Sequence, residues 1–193
     1  MRSTLEPIYL SNVLLYAQDL TTCLTFACVS KACTQATQML KINPVGTHSA
    51  SVASITKLFP NINTLAINTP SQLENCPIPS SVTGIALVQF NTYETLEALH
   101  PFATKIIEIR DKSTNNHRHD LSPFTALQTY RVQEVPESLI FPKHRLNLIS
   151  FMGVKSGLPD SEQLAQHSMK VNVIFTDARR FQEAQSQPHP DTV

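Results

Sequence analysis

Residues 62–67 (INTLAI) and residues 82–87 (VTGIAL) decide the fold of this chain, because both contain the same spacing of apolar side chains. An apolar residue is followed three positions later by a second one and, two positions after that, by a third. The last two therefore alternate with other residues, as in a strand with one buried face. Four later segments repeat the spacing less completely: Thr104, Ile107 and Ile109; Leu127, Tyr130 and Val132; Leu146 and Leu148; Val171 and Val173.

The repeated units follow one another at a nearly regular period. Their middle positions are residues 65, 85, 107, 130, 146 and 171, so the successive steps along the chain are 20, 22, 23, 16 and 25. Leucine-rich repeats have periods of roughly 20–29 residues, and the one shorter step indicates a misread register or a short repeat. Because one unit cannot bury its apolar face alone, the units must stack. The sequence predicts an α/β leucine-rich-repeat solenoid of about six short parallel strands over residues 55–181.

Three helices are predicted before the repeats, in residues 1–44. Their capping residues are Ser3 with Glu6, then Asp19, then Ser30, and Asn43-Pro44 ends the third helix. Each helix carries apolar residues at spacings of three and four, which predicts one buried face. The three faces comprise Leu10, Val13, Leu14 and Ala17; Leu20, Cys23, Leu24 and Ala27; and Cys33, Ala36, Met39 and Leu40.

The helical segment resembles an F-box, the short module that connects substrate receptors to the Skp-type adaptor of cullin ubiquitin ligases. The resemblance comes from Leu5 and Pro7 at the start, from residues 13–17 (VLLYA) and from residues 29–33 (VSKAC). The last position of each of these two stretches departs from the family, which has Leu and Trp there. The resemblance implies an adaptor-binding surface, which comprises Leu5, Pro7, Val13, Leu14, Tyr16 and Leu24.

The repeats carry a second resemblance. Residues 78–85 (IPSSVTGI) resemble the I-P-x-S-V-T-x-I phrase of the bacterial-surface-antigen-like class of leucine-rich repeats, which also occurs in large protist families. An F-box-like header that runs straight into such repeats is similar to an expanded group of protist leucine-rich-repeat proteins. This resemblance implies a non-catalytic adaptor, an F-box-like substrate receptor whose repeats bind a target protein.

A second interpretation gives the helices no ubiquitin-related role. The chain is then a repeat-based interaction or scaffold protein, and the helices only cap the open N-terminal end of the repeats. Exposure separates the two interpretations, because a docking surface requires an exposed apolar patch of several hundred Å². In the capping interpretation the same side chains are covered by the first repeat.

A row of cations is predicted on the outward face of the sheet. The residues expected to point inward are Ile109, Val132, Leu148 and Val173, which leaves Arg110, Arg131, Arg145 and Lys170 pointing outward on successive strands. Because arginine binds carboxylate or phosphate through a planar fork, the row is a candidate site for an acidic or phosphorylated partner segment. The alternative is a set of scattered surface charges, placed outward because their burial is costly.

Charge and cysteine content indicate an intracellular protein that binds neither nucleic acid nor membranes. Fifteen Lys and Arg residues balance fifteen Asp and Glu residues. The longest uncharged stretch, residues 75–93, contains two prolines and several polar side chains, so it is not expected to span a membrane. The N-terminus lacks the features of a secretion signal. Four cysteines are interpreted as buried thiols in a reducing compartment, the cytoplasm or nucleus.

No sequence motif predicts an enzyme, a metal or a cofactor. Residues 117–120 (HRHD) contain metal-binding and acid–base side chains, but they lie in a polar run and are predicted to form a solvated loop. An enzyme would require a pocket that converges on His117, His119 or His144. Residues 182–193 are polar and are predicted to form a disordered tail. Neither the target nor the oligomeric state follows from the sequence.

Overall fold

The structure is a computed structural model that describes residues 6–74, 76–90, 96–112, 118–154 and 161–175. The helices are α1 (Pro7–Leu14), α2 (Leu20–Val29), α3 (Lys31–Met39), α4 (Val52–Leu58) and α5 (Ser161–His167). The strands are β1 (Thr64–Ile67), β2 (Gly84–Phe90), β3 (Ile106–Asp111), β4 (Arg118–Asp120), β5 (Thr129–Val132), β6 (Ser138–Ile140), β7 (Leu148–Val154) and β8 (Val171–Phe175).

Six of these strands form one parallel sheet, in which they lie side by side in the order in which they occur along the chain. The order is β1-β2-β3-β5-β7-β8, and β4 and β6 form a separate parallel pair. Short 3₁₀ turns at Pro70–Leu73 and Leu96–Phe102, and helix α5, lie between strands of the large sheet. The prediction of a mixed α/β protein with a six-stranded parallel sheet is confirmed.

One row of side chains runs through the sheet core. The aligned residues are Ile67, Leu87, Ile109, Tyr130, Ile149 and Val171, and the first five are 0% exposed. Their residue numbers differ by 20, 22, 21, 19 and 22 in turn. The observed period is therefore more regular than the spacing predicted from the sequence.

Three registers were predicted wrongly. In the fourth unit Tyr130, and not Val132, pairs with Ile109 of the third unit. In the fifth unit Ile149 and Phe151 are buried, while Leu148 is half-buried, because Leu146 takes the place that Leu127 has in the preceding unit. In the third unit Ile106 pairs with Ile85, and a shift in register follows before Ala86 pairs with Glu108. Such an irregularity inserts an extra residue on one strand, so Ile106 rather than Ile107 points into the core.

The Asn43 side chain pairs with β1, the strand at the first edge of the sheet. The Ala66 N–H donates to Asn43 Oδ1 at 2.7 Å, and Asn43 Nδ2 donates to the Ala66 carbonyl at 2.9 Å and to Thr47 Oγ1 at 3.0 Å. The Lys41 carbonyl accepts from the Thr64 N–H at 2.9 Å. Asn43, which is 2% exposed, therefore gives β1 the pairing that a neighbouring strand would supply.

A tight turn at Val45–Thr47 connects this edge to the helices. The Val45 N–H donates to the Leu15 carbonyl at 3.2 Å, and the Gly46 N–H donates to the Ala17 carbonyl at 3.1 Å. A Cβ atom on Gly46 would lie 2.0 Å from the backbone carbonyl of Gln18. Only glycine therefore allows the segment between α1 and α2 to approach this turn so closely.

Two of the three predicted helix caps are confirmed. Asp19 accepts from the Thr22 N–H at 2.6 Å, which lowers the pKa of the Asp19 carboxyl, and Ser30 accepts from the Cys33 N–H at 3.2 Å. Helix α1 instead begins at Pro7 after Glu6, whose side chain makes no capping bond. Ser3 lies outside the described residues.

The helices bury less of their apolar faces than the spacing predicted. Leu14 and Ala17 of the first predicted face are buried, but Val13 is 64% exposed. Helix α3 packs against both α1 and α2, and it buries Cys33 and Ala36 while Met39 is exposed. In α2, Cys23 is the one residue with less than a tenth of its surface exposed.

Candidate interaction surfaces

Apolar side chains cover one side of α1. Tyr9 and Val13 are four residues apart on α1, and Tyr16 follows three residues later in the turn that ends the helix, where its N–H donates to the Val13 carbonyl at 3.1 Å. The three side chains are 59%, 64% and 82% exposed. If a fully exposed aromatic side chain has about 200 Å², these side chains present on the order of 300–400 Å². That area matches the largest apolar patch of a typical monomer, which often has a binding role.

Helix α2 adds a second exposed apolar area. Its sequence (LTTCLTFACV) contains no charged residue, and Leu24 and Val29 are 49% and 71% exposed. Burial raises the pKa of Cys23 to about 11, with a smaller contribution from the Asp19 charge, so this thiol stays protonated. We define the apolar helix surface as Ile8, Tyr9, Val13, Tyr16, Leu24 and Val29.

Half of the predicted adaptor-binding residues belong to this surface. Val13, Tyr16 and Leu24 are exposed, and Pro7 is half-buried. Leu14 is 2% exposed and lies in the hydrophobic core, so it does not contribute a docking surface. Leu5 lies outside the described residues. The sequence prediction missed Ile8, Tyr9 and Val29, because a helical period shows which residues share a face but not which face the rest of the chain covers.

The predicted row of four cations is not formed. Arg110 and Arg131 are direct partners on β3 and β5, but the row continues through Ser150 and Asn172 on β7 and β8. Arg145 precedes β7, and its Nη2 donates to the carbonyls of Ala165 and Ser168 at 3.0 and 2.8 Å. Lys170 precedes β8. The prediction failed because it placed Leu148 inward, whereas Ile149 is the buried residue.

Arg110 and Arg131, which we call the arginine pair, share one carboxylate. Glu108 Oε1 lies 2.6 Å from Arg110 Nε and 3.4 Å from Arg131 Nε. The Arg110 contact is a hydrogen bond, whereas Arg131 Nε makes none, so the second contact is an ion pair only. Like charges directly opposite each other on neighbouring strands are destabilising, and Glu108 offsets this repulsion.

A depression of about 620 Å³ lies beside the arginine pair. Its cationic lining residues are Arg110, Lys112 and Arg131, and its neutral ones are Val88, Gln89, Val132, Gln133 and Met152. Asp111 also lines it, but this side chain is 3% exposed and contacts His119. The depression therefore combines positive charge, amide groups and some apolar surface.

Three buried polar side chains form a chain behind the depression. The Tyr130 hydroxyl is hydrogen-bonded to His119 Nδ1, and His119 Nε2 lies 3.5 Å from Asp111 Oδ2. Tyr130 is 0% exposed and His119 is 3% exposed. Burial, followed by the Asp111 charge, raises the pKa of Tyr130 well above its usual value, so the hydroxyl remains protonated and able to donate. This arrangement links β3 and β5 to β4.

The prediction of a solvated loop at residues 117–120 was wrong for its last three residues. Arg118–Asp120 form β4 and pair with β6, because the His119 side chain is anchored in the core. His117 lies outside the described residues. His144 is half-buried, and its Nε2 lies 2.5 Å from the Leu127 carbonyl, so it does not converge with His119 on one pocket.

The described residues contain neither a metal-binding cluster of three or more side chains nor a helix that could cross a membrane. No cluster of three His, Cys, Asp or Glu side chains there is arranged to hold a metal ion. None of the helices seen there is long and apolar enough to cross a membrane. The interpretation of all cysteines as buried was wrong for Cys28, which is exposed on α2, and Cys76 is half-buried.

Acid is expected to destabilise the chain in part through His48. Burial lowers the pKa of His48, and the nearby charge of Arg110 lowers it further, while the Asn43 carbonyl opposes both effects. In the unfolded chain the usual pKa of 6.5 applies, so on acidification the unfolded state takes up the proton first. The stabilising contribution is therefore present above about pH 6.5 and is lost as the pH falls below it.

Urea unfolding between about pH 8 and pH 5 tests this expectation. His48→Gln should show a shallower loss of stability below pH 6.5 than the wild type. The matched control is His100→Gln, since His100 is exposed. An unchanged pH dependence in His48→Gln would show that this residue is not a source of the acid sensitivity.

Comparison of the chain with family models, with curated proteins and with solved structures finds no match in any of the three.

Proposed function

We propose that this chain is a non-catalytic substrate receptor, built as a leucine-rich-repeat solenoid with an F-box-like helical header. In this proposal α1 and α2 bind the Skp-type adaptor of a cullin ubiquitin ligase, and the outward face of the sheet binds a target protein. The chain itself performs no chemistry, since other subunits transfer ubiquitin. The proposal requires the chain to work in the cytoplasm or nucleus.

The apolar helix surface is the observation that carries this proposal. Tyr9 and Val13 on α1, and Tyr16 just after it, are more than half exposed, whereas the buried residues of this helix are Ser11 and Leu14. Leaving large apolar side chains in water forgoes about 1.5–3 kcal/mol for each one that could be buried. A partner that covers this surface recovers that free energy. The resemblance of residues 13–17 and 29–33 to an F-box identifies the Skp-type adaptor as the proposed partner.

The sheet supports the solenoid part of the proposal. Its strands follow one another in chain order, and the register of their buried row gives a nearly constant step between them. The step is about 20 residues, at the lower end of the leucine-rich-repeat range. Repeats of this kind also stack in chain order, each against its neighbours.

The capping interpretation remains the second candidate, and a separate observation favours it. Asn43 closes the edge of β1, and Leu14 and Ala17 lie in the same hydrophobic core as the sheet. On α1 these contacts use the buried Leu14, while Tyr9 and Val13 of the apolar helix surface remain exposed. Capping alone therefore explains Leu14 and leaves Val13 and Tyr16 unexplained.

Co-purification with a Skp-type adaptor separates the two candidates. The wild type should capture the adaptor, and Tyr16→Asp should reduce capture at least about tenfold, because it places a charge in an interface that excludes water. Tyr16 is suitable because its side chain is 82% exposed, so the variant should still fold. Leu14→Asp is unsuitable because that residue is buried and its loss would unfold the chain.

Met169→Asp is the matched control for this experiment. Met169 is an apolar residue that is 71% exposed, and it lies next to β8, at the other end of the sheet. The Met169→Asp variant should capture the adaptor as the wild type does. A folded wild type without affinity for the adaptor would contradict the receptor proposal and leave the capping interpretation.

A further inference from the structure

The arginine pair has unused hydrogen-bonding capacity that points to a ligand. Among the described residues, the side chains of the arginine pair make one hydrogen bond, from Arg110 Nε to Glu108. The terminal amino groups of Arg110 and Arg131 make none. Their side chains are 41% and 38% exposed and line the depression of about 620 Å³. Two guanidinium forks side by side form a receptor for an oxyanion.

The net charge around the depression is positive even after the negative charge of Glu108 is subtracted. Arg110, Lys112 and Arg131 supply three positive charges, and Glu108 supplies one negative charge against the pair. Asp111 supplies a second negative charge, but its side chain is buried and contacts His119. Glutamine side chains and Met152 complete the lining, so an anionic group would also meet amide donors and apolar surface.

We propose that this depression binds an anionic side chain of an extended peptide segment, whose oxyanion replaces the Glu108 carboxylate between Arg110 and Arg131. This inference rests on the proposed role of the outward sheet face in binding a target. Glu108 acts as an internal substitute for the ligand, because it neutralises the pair when no partner is bound.

The presence of Glu108 favours a doubly charged group. A single ligand carboxylate offers the arginine pair the same interaction that Glu108 already provides. Glu108 is part of the chain and loses no translational freedom when it makes this interaction, whereas a ligand does. A phosphate monoester carries about −1.5 to −2 charges and three acceptor oxygens, so it competes better. The site should therefore bind phosphoserine more tightly than glutamate in the same peptide.

The experiment is an NMR titration of the full chain that follows the Nε–H signals of the arginine pair. The probes are acetyl-Gly-Gly-phosphoserine-Gly-Gly-amide, the same peptide with glutamate in place of phosphoserine, and inorganic phosphate. Arg110→Gln and Arg131→Gln remove the proposed fork. Arg118→Gln is the matched control, since Arg118 is exposed on β4 in the other sheet.

The phosphoserine peptide should shift both Nε–H signals saturably and bind at least about threefold more tightly than inorganic phosphate, since only the peptide also contacts the neutral lining. Arg110→Gln should weaken this binding at least about tenfold, and Arg118→Gln should leave it unchanged. Glu108→Gln should strengthen the binding of the glutamate peptide at least about threefold, because the internal competitor is gone.

Several results would overturn the inference. The first is the absence of saturable shifts of the two Nε–H signals when the phosphoserine peptide is added. The second is that Arg110→Gln binds this peptide as tightly as the wild type does. Equal affinity for inorganic phosphate and the phosphoserine peptide would indicate an adventitious ion only. Weaker binding by Glu108→Gln would show that Glu108 organises the pair and is not the group replaced. Adaptor capture depends on α1 and α2, so its outcome is separate from all of these.

Discussion

Asn43→Ala is expected to lower the free energy of unfolding by about 3 kcal/mol. The substitution leaves the Ala66 N–H and carbonyl without the partners that Asn43 supplies, at a position where water has no access. A buried backbone group without a partner costs about 1–3 kcal/mol, and two such groups are affected. For a chain of this length the change corresponds to a decrease in Tm of roughly 6–12 °C, which thermal unfolding followed by circular dichroism would detect.

Asn61→Ala provides the matched control for this prediction. Asn61 also donates to a backbone carbonyl, that of Gln38 at 2.9 Å, but it does so at an exposed position where water can replace the side chain. We expect a loss below about 1 kcal/mol there. Equal losses in the two variants would show that the first edge of the sheet does not depend on the Asn43 amide.

His119→Leu is expected to destabilise the chain by about 2–3 kcal/mol. It removes the hydrogen-bond partner of the Tyr130 hydroxyl, which is fully buried, and it removes the imidazole that contacts Asp111. Urea unfolding at neutral pH measures the effect. The exposed Tyr9 gives a matched control, because Tyr9→Phe should change stability by less than about 0.5 kcal/mol.

A double-mutant cycle isolates the hydrogen bond within this chain of side chains. In the His119→Leu background, Tyr130→Phe removes the hydroxyl that has lost its partner, so it should restore about 1 kcal/mol. In the wild type the same Tyr130→Phe change should cost about 1 kcal/mol. Strict additivity of the two substitutions would contradict a direct interaction between them.

The fold was predictable because burial imposes a period on the sequence. Leu65 with Ile67 and Ile85 with Leu87 mark two strands unambiguously, since both members of each pair are buried. The period did not determine the register where the chain offers several apolar residues in succession. At Leu146, Leu148 and Ile149, and at Ile106 and Ile107, only the hydrogen bonds to the neighbouring strand decide which side chain turns inward.

The candidate sites were less predictable, because they depend on contacts between distant segments. The row of cations was extrapolated from a wrong register, so only its Arg110–Arg131 part lies together. His119 was assigned to a loop because three residues are too few to show a strand period, although Tyr130 in the core holds it in place. No local pattern indicates that Asn43 completes a sheet, since its partner Ala66 is 23 residues away.

The order of strands in the sheet has a consequence for how the chain reaches its fold. Each strand of the large sheet pairs only with the strands directly before and after it in that sheet, and these are also its nearest sheet neighbours along the chain. The intervals between aligned residues are nearly equal, so the entropic cost of loop closure is nearly the same for every pairing. No pairing has to wait for a distant one. Folding can start at any adjacent pair and proceed in both directions, and during synthesis each new strand can add to those already made.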